Sequence, residues 1–248
     1  MEKVRKMKWM ISSVVILLLV STAFMLALPQ QSVVTAGVEN GYYGKKAKYV
    51  FFFIGDGMAM PQITSTEIFK GTLGSDNPMN RGKLSFTVFP NQGMQTTHSA
   101  NTFITESAAA GTALATGHKT NNDVLGMDPT KKIKFRSMAE MAKEKGMKVG
   151  IVSSVSLDHA TPGAFYAHES SRKNLYEIGT AMIHSGFDYF AGGSLLLPTG
   201  AKKDQPSILD LAVQNGYQIV NGQEDIMKIS KKDGKIIAFS SDLAAEST

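Results

Sequence analysis

Two polar side chains, Asp56 and Ser107, lie at positions from which they could act on a bound ligand. Asp56 follows the apolar run of residues 48–54 and stands between two glycines; such an acid is either a turn residue or a ligand for a cation. Ser107 follows Thr105-Glu106 at the head of an alanine-rich segment, where a hydroxyl either caps a helix or acts as a nucleophile towards phosphate. The unpaired N–H groups and the positive dipole end of such a helix favour an anion.

A second group of polar residues follows the apolar run of residues 148–154. His159 and Thr161 come just after this predicted strand, at the end where open α/β sheets bind ligands. Thr161 is either the N-cap of a short helix over residues 162–168 or a metal ligand. Arg172 is either a solvated surface charge or a planar fork for two phosphate oxygens. The histidines show no tight metal-ligand spacing, and His159 alone lies beside a candidate site.

The elements that would position these side chains alternate between strand and helix. The predicted strands are residues 48–54, 93–97, 148–154, 189–191, 217–220 and 235–239. The predicted helices are residues 61–71, 107–116, 135–145, 162–168, 174–185 and 206–215. The first and third strands are apolar on both faces, which is typical of buried strands in a parallel sheet. The sequence therefore predicts an α/β fold with three αβα layers, in which helices cover both faces of a mostly parallel sheet.

The N-terminus has the pattern of an export segment. A basic stretch precedes 19 uncharged residues, 10–28, and small residues at 34–36 suit cleavage by signal peptidase. If the segment is not cleaved, residues 10–28 are nearly long enough to anchor the chain in a bilayer. Either alternative places the folded part outside the cytoplasm, in the periplasm or the extracellular space. The predicted organisation is a signal peptide or anchor over residues 1–36, a linker over 37–46 and a folded domain over 47–248.

The composition excludes several classes of protein. With 43% hydrophobic and 19% charged residues, the chain of 248 residues can bury a sizeable core, which excludes wholesale disorder. The absence of cysteine excludes a disulfide scaffold, a thiol nucleophile and a cysteine-ligated metal. The net charge of +5 is concentrated in the N-terminal stretch, and the remainder is too weakly basic for a nucleic-acid binding patch.

Three stretches of the sequence, taken together, resemble the alkaline phosphatase family. They are YVFFFIGDGM at residues 49–58, TESAAAGTALATG at residues 105–117 with KTNN after it, and DHATPGAFYAHESSRK at residues 158–173. Their order and intervals also fit, from about residue 49 to about residue 239. The resemblance implies the N-terminal part of an alkaline phosphatase catalytic domain. The implied reaction is phosphomonoester hydrolysis through a phosphoserine intermediate, assisted by Zn²⁺ and Mg²⁺.

The resemblance also implies roles for five residues. Asp56 looks like the carboxylate that touches both a zinc ion and the magnesium ion. Ser107 looks like the nucleophile that becomes phosphorylated, and its oxygen would coordinate that zinc ion. Thr161 looks like a magnesium ligand, with His159 at the same metal either directly or through water, and Arg172 looks like the clamp on the phosphate oxygens. The implied partners are small phosphomonoester substrates and, because many relatives are dimers, a second copy of the chain.

Two residues depart from the family pattern. Many relatives have Asp where this chain has Glu106, whose extra methylene would shift the Arg172 clamp. Some relatives have Asp in place of His159, which would alter the affinity for magnesium or the choice of metal. After Arg172 nothing resembles the later metal ligands of the family, and a catalytic zinc generally needs three protein ligands. We therefore expect little phosphatase activity from the 248 residues alone.

Two other functions stay open at the level of sequence. One is a sulfatase-like or phosphodiesterase-like enzyme on the same scaffold, against which the TESAA motif and Arg172 argue. The other is an exported protein without catalysis, which binds an anion or is purely structural and in which Ser107 and Thr161 are only helix caps. Stoichiometric zinc would support an enzyme, and its absence would support the protein without catalysis.

Overall fold

The computed structural model describes residues 47–230 and 233–240. The predicted export segment, 1–36, and the predicted linker, 37–46, lie outside these residues. The chain divides into two compact units, Met1–Ile54 and Gly55–Thr248, and every helix and strand named below belongs to the second. Within the described part of the chain, no helix combines the length and the apolar character that a membrane crossing requires.

The described residues form seven α-helices, one 3₁₀ helix and four strands. The helices are α1 (Met60–Thr72), α2 (Ser107–Thr116), α3 (Met138–Glu144), α4 (Ala160–Gly163), α5 (Leu175–His184), α6 (Ile208–Gln214) and α7 (Gln223–Ile226). The strands are β1 (Gly150–Val152), β2 (Tyr189–Gly192), β3 (Tyr217–Asn221) and β4 (Lys235–Phe239), and the 3₁₀ helix is Phe86–Val88.

The four strands form one parallel sheet in the order β1-β2-β4-β3. In the register, Phe190 of the inner strand β2 lies between Ile151 and Ile237. Phe190 and Ile237 are fully buried, as expected for strands whose apolar residues face a core on both sides. The parallel sheet with accompanying helices confirms the predicted α/β fold class.

Helices α2 and α4 approach each other closely through small side chains. A Cβ atom added at Gly111 of α2 would lie 3.0 Å from the Cβ atom of Ala164, just after α4. Ala108 and Ala115 of α2 and Ala160 of α4 are almost completely buried. Because small residues permit this close packing, the heads of the two helices, which carry Ser107 and Thr161, come near each other.

Most of the sequence-based element assignments are confirmed. Four predicted helices, now α1, α2, α5 and α6, and three predicted strands, now β2, β3 and β4, have ends within two residues of the prediction. The predicted helix 135–145 is shorter and begins after Ser137, whose hydroxyl accepts the Glu140 N–H at 3.1 Å while the Glu140 carboxylate accepts the Ser137 N–H at 2.7 Å. This reciprocal capping sets the start of α3.

Three strand predictions are wrong in whole or in part. Residues 48–54 form no strand in the described chain, and Phe53 is 89% exposed. Residues 93–97 are also without regular structure. The predicted buried strand 148–154 is the short edge strand β1, where Val152 is 70% exposed. An apolar β-branched or aromatic run favours a strand, but a strand is buried only where neighbouring elements cover both of its faces.

A half-buried ion pair between His168 and Glu140 connects α3 to the segment after α4. The two ring nitrogens of His168 face acceptors, the Gly126 carbonyl at 2.9 Å and Glu140 Oε1 at 2.9 Å, so protonated His168 satisfies both. The hydrogen bond to Glu140 raises the pKa of His168, and burial opposes this less strongly. Burial acts to raise the pKa of Glu140, but the hydrogen bonds from His168 and Ser137 lower it below its ordinary value.

Replacing His168 with glutamine is therefore expected to cost most stability in a window of mildly acidic pH. The raised pKa of His168 contributes stability below pH 6.5, its ordinary value, and this is lost as the pH rises through the folded value. The lowered pKa of Glu140 contributes stability above pH 4.5, its ordinary value, and this stability is lost as the pH falls through the folded value. Urea unfolding of His168→Gln across pH would measure the difference, with the exposed His184→Gln as the matched control. A pH-independent difference from the parent would contradict this assignment.

Candidate active site

Asp56 lies in a tight turn that presents its carboxylate to two hydroxyl groups. The turn is closed by the Met58 N–H, which donates to the Gly55 carbonyl at 3.1 Å, and Gly57 adopts the left-handed φ of 67° that the turn requires. Oδ2 of Asp56 accepts hydrogen bonds from Ser107 Oγ at 2.9 Å and from Thr161 Oγ1 at 2.8 Å. The structure therefore brings together three of the five residues predicted for the site.

The helix that carries Ser107 is capped by the preceding residue. Glu106 is the N-cap of α2, and its carboxylate accepts the N–H groups of Ala108 at 2.9 Å and Ala109 at 2.8 Å. Ser107 is the first helical residue, so its hydroxyl is directed to Asp56 instead of capping the helix. The interpretation of Ser107 as a helix cap is therefore wrong. The N–H groups of Ala108 and Ala109, expected to favour an external anion, are instead bound to the Glu106 carboxylate.

Arg172 binds the same carboxylate. Its Nη1 donates to Glu106 Oε2 at 2.6 Å, and the Asp123 N–H donates to Oε1 at 3.1 Å. Burial acts to raise the pKa of Glu106, but its three backbone N–H donors and the Arg172 guanidinium together lower it below its ordinary value. The side chain of Glu106 thus binds both the helix N-terminus and Arg172, and it holds Arg172 near the N-terminal end of α2.

His159 occupies the corresponding position at the head of α4. It is the N-cap of that helix: Nδ1 lies 3.4 Å from the Thr161 N atom, while Nε2 lies 2.9 Å from Arg172 Nη2. Burial and the neighbouring charge of Arg172 lower the pKa of His159, so the neutral ring is favoured. Of the two alternatives for Thr161, the N-cap is wrong, because Thr161 lies inside α4 and its hydroxyl donates to Asp56. The predicted helix 162–168 is Ala160–Gly163, since the cap lies earlier.

The oxygen atoms around Asp56 fit a hard cation. One carboxylate and two hydroxyls converge there, and Mg²⁺ binds through a few such oxygens while it keeps several waters. Catalytic zinc sites normally use three protein ligands drawn from His, Cys, Asp and Glu. Residues 47–230 and 233–240 contain no cluster of three such side chains. The described donor set therefore fits Mg²⁺ and supplies only part of a zinc site.

Sequence reasoning missed two acids that support these side chains. Asp158 is fully buried, which raises its pKa, and its Oδ2 accepts the N–H groups of Leu196 at 2.7 Å and Leu197 at 3.2 Å. It thereby fixes the residue before His159. Asp123 has a left-handed φ of 76° and contacts Glu106. The only sequence signal for Asp123 is that Asn and Asp tolerate left-handed turn positions; Asp158 gives none beyond its place next to His159.

Comparison with known proteins gives one family. The family model described as "Alkaline phosphatase" matches residues 47–237. "Alkaline phosphatase 4" of Bacillus subtilis (strain 168) is 35% identical over 199 residues, which are 78% of this chain and 42% of that protein. "Alkaline phosphatase 4" of Drosophila melanogaster is 36% identical over 137 residues, which are 53% of this chain and 23% of that protein.

The solved structures agree with this result. The alkaline phosphatase of the Antarctic bacterium TAB5 matches with a TM-score of 0.66 and 31% identity, over 77% of this chain and 53% of the bacterial chain. A histidine variant of that phosphatase is described with Mg bound in its M3 site. The present chain thus spans about half, or less, of the length of the relatives that it matches.

Proposed function

The chain belongs to the alkaline phosphatase family, and we propose that it acts on small phosphomonoesters through a phosphoserine formed on Ser107. The observation that carries this proposal is the hydrogen bond from Ser107 Oγ to Asp56 Oδ2 at 2.9 Å, which aims a helix-head hydroxyl at a carboxylate. The same carboxylate accepts Thr161 Oγ1 at 2.8 Å. A nucleophilic hydroxyl, a carboxylate and a further oxygen ligand are thus collected at one point.

The residues around Ser107 divide the work of phosphoryl transfer. Ser107 Oγ would lose its proton and attack phosphorus as the bond from phosphorus to the leaving oxygen breaks, so that the alcohol leaves with a proton. Water would then hydrolyse the phosphoserine, which releases inorganic phosphate and restores the Ser107 hydroxyl. Asp56 and Thr161 would hold Mg²⁺, and His159, whose ring nitrogens face Thr161 and Arg172, would reach the same ion through water. Asp56 with Ser107 would contribute to a Zn²⁺ site. Bound cations of this kind lower the pKa of an attacking hydroxyl and stabilise the charge of an in-line displacement. The hydrogen bond that Asp56 Oδ2 accepts from the Ser107 hydroxyl keeps the nucleophile oriented.

Arg172 would bind the phosphate oxygens. Its Nη1 donates to Glu106, and its Nη2 lies 2.9 Å from His159 Nε2. The other N–H groups of the guanidinium could bind an anion. Because Glu106 binds the N–H groups of Ala108 and Ala109, phosphate affinity would depend on Arg172 more than on the α2 N-terminus. Glu106 and His159 thus position the clamp from two sides.

The structure removes the main support for a purely structural role of the two hydroxyls. The caps of α2 and α4 are Glu106 and His159, not Ser107 and Thr161. Export and cleavage after residue 36 are predictions from the sequence, because residues 1–46 lie outside the described structure. A homodimer is what the resemblance to the family implies. We propose that the protein acts outside the cytoplasm, which fractionation of cells with an antibody to the chain would test.

A trapped phosphoenzyme would test the proposed reaction. The purified chain is incubated with p-nitrophenyl phosphate, Zn²⁺ and Mg²⁺, quenched with acid and mapped by peptide mass spectrometry. We expect one phosphoryl group on the peptide that contains Ser107, and loss of this mark when EDTA precedes the substrate. Trapping needs only a single phosphoryl transfer, so it succeeds even where turnover is slow. An unmodified Ser107 in chain that has bound the metals stoichiometrically would overturn the proposal.

A further inference from the structure

Asp123 joins the two sides of the proposed site. Its N–H donates to Glu106 Oε1 at 3.1 Å, on the side that carries Ser107. Its carbonyl oxygen accepts the Arg172 N–H at 2.7 Å, and its Oδ1 accepts Ser171 Oγ at 3.0 Å. One residue therefore contacts both the cap of α2 and the backbone from which Arg172 projects.

The backbone of Asp123 is in a conformation that few residues adopt easily. The Val124 N–H donates to the Asn121 carbonyl at 3.2 Å, which makes Asp123 the third residue of a tight turn, with φ at 76°. Asp and Asn tolerate this left-handed region, whereas a β-branched side chain there is a strained outlier. The directions of the Asp123 N–H and carbonyl, and hence its contacts with Glu106 and Arg172, depend on this conformation.

The chain that follows the turn is fixed on both sides. Leu125 and Glu169 exchange two backbone hydrogen bonds, of 2.9 and 2.8 Å, and the Gly126 N–H donates to Thr112 Oγ1 of α2 at 2.9 Å. Val124 and Leu125 are completely buried. This segment is hydrogen-bonded to Thr112 of α2 and to Glu169, which precedes Arg172. Because it is held in place, a change in the turn would alter the contacts of Asp123 itself.

We propose that Asp123 is a positioning residue, whose left-handed backbone sets the distance between the Arg172 guanidinium and the Ser107 hydroxyl. This inference rests on the proposed function, in which Arg172 binds the phosphate that Ser107 attacks. It attributes the effect to the backbone of Asp123 and not to its carboxylate. Variants that retain the conformation should therefore retain the function of Arg172, whatever their side chain.

Four variants separate the backbone from the side chain. Asp123→Val opposes the left-handed conformation, Asp123→Gly permits it without a side chain, and Asp123→Asn keeps both the conformation and an acceptor for Ser171. Lys203→Val is the matched control, since Lys203 is an exposed residue with a left-handed φ of 56° in a turn closed on Gly200. Where Asp123→Val does not fold, Asp123→Ala replaces it as the disfavoured variant.

The measurement is the affinity of the Zn²⁺- and Mg²⁺-loaded chain for inorganic phosphate by titration calorimetry. We expect the Val variant to bind phosphate roughly tenfold more weakly than the parent, which corresponds to the lower end of the cost of local backbone strain. The Gly and Asn variants should bind phosphate with an affinity within about twofold of the parent. Lys203→Val should bind phosphate as the parent does. Equal affinities of the Val and Gly variants would overturn the inference. Weaker binding by Gly but not by Asn would assign the effect to the side-chain acceptor for Ser171 and would overturn it as well.

A second readout separates this inference from the proposed function. The Nε–H signal of Arg172 in ¹⁵N-labelled chain reports the guanidinium environment without phosphate, and the Arg172→Lys variant identifies it. We expect this signal to shift in Asp123→Val and to be unchanged in Asp123→Gly. Failure of the parent to bind phosphate would overturn the proposed role of Arg172, whereas an Arg172 signal that is the same in all variants would overturn the role of Asp123.

Discussion

Ser107→Ala is expected to reduce the transfer of a phosphoryl group from p-nitrophenyl phosphate by at least about a thousandfold, as for the loss of other catalytic nucleophiles. The hydroxyl is the atom that would form the covalent bond, and the structure shows it hydrogen-bonded to Asp56 Oδ2 at 2.9 Å. The adjacent residues do not supply a replacement, because Glu106 is bound to the helix N-terminus and to Arg172. Release of p-nitrophenolate with the chain in excess over substrate measures the first transfer.

A matched serine provides the control for this experiment. Ser65 also lies in a helix, in the middle of α1, where its hydroxyl donates to the Gln62 carbonyl at 3.1 Å. Ser65→Ala should therefore leave the rate of transfer unchanged. Ser107→Ala should still bind inorganic phosphate, since Arg172 keeps its partners Glu106 and His159. Transfer at the parental rate by Ser107→Ala would show that another group is the nucleophile.

Phe190→Ala is expected to lower the free energy of unfolding by about 3–5 kcal/mol, the usual cost of removing a buried phenyl ring. Phe190 lies on the inner strand β2 and is fully buried. Its ring packs edge-on against Tyr166, with ring centroids 5.5 Å apart, and lies 6.0 Å from the ring of Phe187 and 6.1 Å from that of Tyr217. The alanine would leave a cavity that this aromatic cluster can fill only partly. Urea unfolding followed by circular dichroism gives the difference.

Val213→Ala is the matched control for the core variant. Val213 lies on α6 and is 60% exposed, so its truncation should change the free energy of unfolding by no more than about 0.5 kcal/mol. A loss below about 1 kcal/mol for Phe190→Ala would contradict the packing described for β2. An equal destabilisation by Val213→Ala would contradict the exposed position of Val213.

The sequence by itself determined the elements that depend on near neighbours in the chain. Helix α2 has the predicted ends because alanine favours the helix and because Gly117, at φ 77°, ends it in the left-handed conformation. The three stretches that resemble alkaline phosphatases led to the family that the comparisons confirm. They also named Asp56, Ser107 and Thr161, whose oxygens the structure brings within hydrogen-bond distance.

Only the tertiary structure decided which donor binds which acceptor around the candidate site. The apolar run 48–54 carries a strand signal but no information about what covers it, so its prediction as a buried strand was wrong. The cap of α2 has a second partner that is remote in the sequence, because Glu106 binds Arg172 across 66 positions of the chain. The Thr161 hydroxyl is likewise held by a remote group, because Asp56 binds it across 105 positions. Helix propensity acts over a few residues, whereas a carboxylate binds whichever donors the fold places around it. The sequence therefore named the candidate side chains of the site, and the packing of α2 against α4 decided how they are arranged.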